Sequence, residues 1–171
     1  VKTSFRIERR LLEQAHCDLS RPHPYAHERV GFIACSTADV QGGLLLLADE
    51  YLLVADEDYV NDRSVGAMMG PAAIRKALEY AYGRSNVAML HVHRHEHRGV
   101  PGFSKVDLSE SAKFVPDFWK VRPGVPHGIV VLSFDAMNGL VWDPTTQRPQ
   151  RIEQMAVIGR PMSIFGRWWR K

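Results

Sequence analysis

Between Glu28 and Asp56 the chain reads ERVGFIACSTADVQGGLLLLADEYLLVAD, two apolar runs of strand length on either side of Gly42-Gly43. Runs rich in Val, Ile, Leu and Phe, broken by a glycine turn, satisfy their backbone and bury their side chains by pairing into a sheet. Early hairpins are therefore expected. Around them, Ile7, Leu11, Leu12, Ala15 and Leu19 recur at helical spacing, which predicts a first helix ending before Pro22 and Pro24. Gly70 and Pro71 mark the start of a second helix, with Ile74, Ala77, Leu78, Ala81 and Tyr82 on its apolar face.

VAMLHVH reads as a central strand, and Leu108, Ala112, Val115 and Trp119 suggest a third helix that Pro116 should kink or shorten. HGIVVLSFDA and GLVWD read as a closing hairpin around Met137-Asn138-Gly139. This order of elements predicts a mixed α/β or α+β fold, a central mixed sheet flanked by helices. From about Pro144 the periodicity weakens, consistent with a final strand and a tail.

The 171 residues and 45% hydrophobic content fit one domain. Twenty-two basic and 19 acidic residues are intermixed, giving a net charge of +3 with no basic stripe, so no nucleic-acid partner is expected. Cys17 and Cys35 form no CxxC pair, which argues against a disulfide framework and against a thiolate zinc site. No apolar run approaches the roughly 20 residues of a membrane span, and a soluble, cytoplasmic protein is expected.

The stretch His91-Val-His-Arg-His-Glu-His97 holds four of the chain's eight histidines at alternate positions. In a strand, His91 and His93 share one face, which offers two imidazoles to one cation; the same spacing also suits solvated or core histidines. Asp107 is a candidate third ligand, since zinc accepts two imidazoles and a carboxylate and keeps a position for water. Ser104-x-x-Asp107 equally matches a helix capping box.

Taken together, Glu28-x-x-Gly31-x-Ile33, His91-x-His93 and Ser104-x-x-Asp107 resemble the JAMM signature of the MPN (JAB) metalloprotease family. The resemblance spans residues 1–143 and implies an MPN-like, cytidine-deaminase-like domain, with residues 144–171 as a C-terminal strand and basic aromatic tail. It implies zinc held by His91, His93 and Asp107, Glu28 as general base and then acid, and Ser104 stabilising the tetrahedral intermediate. The implied activity is that of a zinc peptidase or isopeptidase acting at the C-terminus of a ubiquitin-like protein. The alternatives are release of a small adduct from a sulfur-carrier protein, or a non-catalytic scaffold or dimerisation module.

Two features depart from the family pattern: ten residues, RHEHRGVPGF, separate His93 from Ser104 where roughly seven are usual, and Arg94 replaces the common proline. His95 and His97 are expected in this enlarged loop, solvated, touching substrate, shuttling protons or capturing metal adventitiously. His16, His23, His27 and His127 match no motif, although His27 adjoins Glu28. Trp168 and Trp169, flanked by arginines, suit packing on the domain, a partner or homodimer interface, or a membrane surface.

Overall fold

A computed structural model describes residues 2–166, so Trp168 and Trp169 lie outside the described residues. The described residues form a mixed α/β fold built on one nine-stranded sheet and three helices. Its strands are β1 (Lys2–Glu8), β2 (Val30–Val40), β3 (Gly43–Leu53), β4 (Val87–Arg94), β5 (His127–Leu132), β6 (Met137–Trp142), β7 (Pro149–Arg151), β8 (Gln154–Ile158) and β9 (Ser163–Gly166). The helices are α1 (Arg9–Leu19), α2 (Pro71–Tyr82) and α3 (Lys105–Val121). Across the sheet the order is β7-β6-β5-β4-β2-β3-β1-β8-β9.

The expected hairpin forms from β2 and β3, with Gly42 at φ 85° in its turn, where a side chain would be strained. β4 lies antiparallel to β2 and parallel to β5, and α3 makes the crossover that parallel pairing requires. One face of the sheet, with Phe5, Ile33, Leu90 and Val92, is covered by Leu11, Leu12, Ala15 and Leu19 of α1. On the other face, Val30, Phe32 and Met89 meet Ala73, Ala77 and Ala81 of α2 and Phe118 of α3. Leu90 and Val92 therefore point towards α1, and His91 and His93 point towards α3.

Several expectations need correction. Ile7 belongs to β1, where Thr3, Phe5 and Ile7 alternate inward beside β3 and β8. Tyr82 is 71% exposed; Ala73 takes its place on the buried face of α2. Pro116 does not shorten α3, which runs 17 residues with Ser111, Val115 and Phe118 on its buried face. Burial along that face outweighs the one backbone donor that proline removes.

The last hairpin turns at Ser133–Ala136, where the Ser133 hydroxyl accepts the Ala136 N–H (3.0 Å), and not at Asn138-Gly139. Gly139 lies within β6 because any Cβ there would come within 2.6 Å of the Ile152 side chain. The C-terminal segment supplies three strands, and β8 pairs in parallel with β1.

His127 is fully buried against Phe118. Its Nδ1 accepts the Met89 N–H (3.0 Å) and its Nε2–H donates to the Arg122 carbonyl (3.3 Å), which fixes the neutral tautomer. Burial pushes this imidazole from the usual 6.5 down to about 4, partly opposed by the Arg122 hydrogen bond. Between those values the unfolded chain binds more protons, so stability present above pH 6.5 is lost as pH falls towards 4. That window corresponds to about 3 kcal/mol. Urea unfolding at pH 7 and pH 4.5 should show a shallower loss for His127→Gln than for the wild type; equal slopes would refute this assignment.

Candidate metal centre

The paired strands β2 and β4 set the site. Val30 faces His93 and Phe32 faces His91, so directly opposed residues share a face. Continuing that ladder two steps past Val30 brings Glu28 level with His95. The extended chain beyond β4 is held in place by β5, because the His95 N–H donates to the Leu132 carbonyl (2.9 Å). His91, His93, His95 and His97 thus form a row whose successive ring centroids lie 5.8, 5.0 and 5.8 Å apart.

Within that row, the structure gathers His93, His95 and Asp107, whose ligand atoms all lie within 4.8 Å of one another. His93 Nε2 is 3.2 Å from His95 Nε2 and 3.4 Å from Asp107 Oδ1. A tetrahedral ion with ligands near 2.0–2.2 Å places neighbouring donors about 3.3–3.6 Å apart, so both spacings fit a zinc-sized cation. One imidazole can also donate to the other across the 3.2 Å gap; that ring must move its proton to Nδ1 when both Nε2 lone pairs bind a cation.

The gathered residues differ from the ligand pair expected from sequence. His91 lies outside the cluster, packed edge-on against Phe32 (5.7 Å) and Phe114 (5.3 Å), and His95 stands where His91 was expected. Burial first, then the neighbouring His93, pushes the imidazole of the half-buried His91 down to about 3, which keeps the ring neutral near pH 7. His93 is also shifted downward, mainly by burial, while Asp107 opposes the shift. His97 is exposed and its Nδ1 lies 2.8 Å from the Arg98 carbonyl oxygen.

Asp107 makes the capping contacts and also faces the histidine cluster. Its Oδ2 accepts the Ser104 N–H (2.6 Å), and its own N–H donates to Ser104 Oγ (3.0 Å), completing a capping box. The cap fixes the carboxylate while Oδ1 faces His93. Ser104→Ala should lower stability by about 1 kcal/mol. Because the Asp107 carboxylate keeps its bond to the Ser104 N–H, any bound metal should persist, and turnover should fall about 10²-fold if the hydroxyl also stabilises a developing oxyanion. Melting, metal analysis and turnover separate these effects; unchanged turnover would leave Ser104 with the cap alone.

Glu28 is half-buried at the same end of the sheet. Burial raises its pKa above the ordinary carboxylate value; His95 pulls it down, Asp107 pushes it up, and His27 lowers it. The N–H groups of His27 and Glu28 both donate to the Gly66 carbonyl (3.0 and 2.8 Å). A Cβ on Gly66 would come within 2.7 Å of Glu28 Oε2. Gly66→Ala should therefore displace the carboxylate while leaving the histidine cluster in place, and lower about 10-fold any turnover that depends on Glu28. Zinc analysis with turnover checks this, and full activity would show that the carboxylate has room to spare.

The enlarged loop is fastened on the opposite side of the site. Gly99 N–H donates to Asp135 (2.7 Å), Phe134 N–H to the His97 carbonyl (2.9 Å), and the Asn138 amide to the Pro101 carbonyl (3.0 Å). The cluster therefore lies between this loop and the Gly66 segment. Gly66 and Asn138 carried no sequence signal for these roles, because both contacts are long-range. The sequence matches no protein-family model, and no characterised protein is detectably similar to it. Among the described residues, no helix is long and apolar enough to cross a membrane.

Proposed function

We propose that this chain is a zinc metallopeptidase of JAMM type, acting on the C-terminal tail of a ubiquitin-like or sulfur-carrier protein. The observation that carries this reading is the meeting of His93, His95 and Asp107 beside Glu28. Taken on His93-x-His95, the motif leaves eight residues, Glu96–Phe103, before Ser104, closer to the family spacing of roughly seven than the ten counted from His93. The order of helices and strands is compatible with an MPN-like domain.

His93 Nε2, His95 Nε2 and Asp107 Oδ1 are the atoms that would hold the ion. Bound there, zinc supplies Lewis-acid activation of water and of a scissile carbonyl. Glu28 accepts one proton from water and returns it to the leaving amine nitrogen as the C–N bond breaks and the water oxygen joins the acyl carbon. Its raised pKa suits both halves of that transfer. The Ser104 hydroxyl proton is free to be donated, because its oxygen only accepts in the capping box.

The test combines metal analysis with cleavage of a panel of ubiquitin-like and sulfur-carrier C-terminal fusions. About one zinc per chain, and cleavage abolished by chelation and restored by zinc, are expected. A zinc-loaded protein that cleaves no member of the panel would defeat the peptidase reading, and a chain that takes up no zinc would favour a scaffold module.

A further inference from the structure

Arg94 separates the two histidine ligands, and alternation sends its side chain to the opposite face of the sheet, towards α1. The side chain is only 12% exposed. Its Nη1 donates to the Ser20 hydroxyl at the C-cap of α1, and Ser20 in turn bonds to the His16 carbonyl of the last helical turn. The guanidinium also lies 5.2 Å from the Phe134 ring centroid, and Nη2 is 3.6 Å from Glu96 Oε1. Among the described residues its Nε is buried without a hydrogen-bond partner.

A buried guanidinium with an unmatched N–H is unfavourable for stability alone. Two surroundings offset it: the carbonyl end of α1 favours a positive charge, and the Phe134 face attracts a cation. We infer that Arg94 is a positioning residue for the metal centre, tying the strand end to α1 so that His93 and His95 both face Asp107. Because strand side chains alternate, pinning the middle residue of His-x-His on the reverse face fixes the two flanking imidazoles on the front.

Arg29 provides an internal comparison. It is 2% exposed and also binds the α1 end of the molecule, donating to the Arg21 and Pro22 carbonyls (3.0 and 2.6 Å) and to Asp56 (2.6 Å). It follows Glu28 and lies on no ligand-bearing strand, so its loss loosens the same region without releasing a ligand.

The inference rests on the metal site proposed above, and its test reads metal affinity instead of peptidase activity. Apo protein is titrated with zinc against a chromophoric chelator, and thermal melting of each apo variant is recorded alongside. Arg94→Met is expected to weaken zinc binding about 10-fold or more, and Ser20→Ala, an exposed position whose change spares the core, about 3-fold. Arg29→Lys is expected to bind within about 2-fold of wild type despite a lower melting temperature.

If Arg94→Met does not fold, Ser20→Ala decides. Wild-type affinity in Ser20→Ala and in any folded Arg94→Met protein would overturn the inference, as would equal weakening by Arg29→Lys. A wild-type chain that binds no zinc would overturn the metal site itself, a result distinct from either of these.

Discussion

His95→Ala protein is expected to purify without zinc and to bind it at least ~100-fold more weakly, whereas His91→Leu should keep the ion. Removing one of three protein ligands should exceed the roughly 10- to 100-fold effects seen for residues that merely support a ligand. His91 sits among Phe32 and Phe114 as a neutral ring, and leucine preserves most of that apolar contact. His93→Ala and Asp107→Ala should behave as His95→Ala does, since all three donors belong to one cluster. Equilibrium dialysis against zinc measures this directly. Loss of zinc from His91→Leu with retention by His95→Ala would restore the pair expected from the sequence and sink the triad.

Glu28→Gln should keep fold and zinc while turnover falls about 10²-fold or more, because an amide of the same shape cannot accept the proton. The backbone bonds from His27 and Glu28 to Gly66 do not involve the side chain, so position is retained and only proton transfer is removed. Single-turnover rates with zinc-loaded protein provide the measurement. Loss of zinc would instead make Glu28 a ligand. Near wild-type turnover would remove it from the reaction, and the milder Gly66→Ala effect would then have no basis.

Much of the fold was legible because its signals are local. Gly70-Pro71 marks the start of α2, the apolar run Val87–Leu90 leads into the central strand β4, and Ser104 with Asp107 forms the capping box. The errors arose where two local signals competed. Ile7 fits the helical spacing of Leu11 and Ala15, yet it also alternates with Thr3 and Phe5, and pairing with β3 and β8 selects the strand. Asn138-Gly139 has the composition of a turn, but the close approach of Ile152 requires a glycine inside β6.

The same limit applies to the candidate metal centre. The sequence alone determined that several imidazoles at alternate positions would share one face, and that Asp107 would start the helix that follows. It did not determine which two imidazoles belong with Asp107, because a period of two makes His91-x-His93, His93-x-His95 and His95-x-His97 locally equivalent. Tertiary structure brings His93 and His95 to Asp107 through the pairing of Val30 with His93, the packing of His91 against Phe114, and the hold of β5 on the His95 backbone. Strand register is fixed by residues 51 to 63 positions apart, whose burial and hydrogen bonding no local repeat encodes.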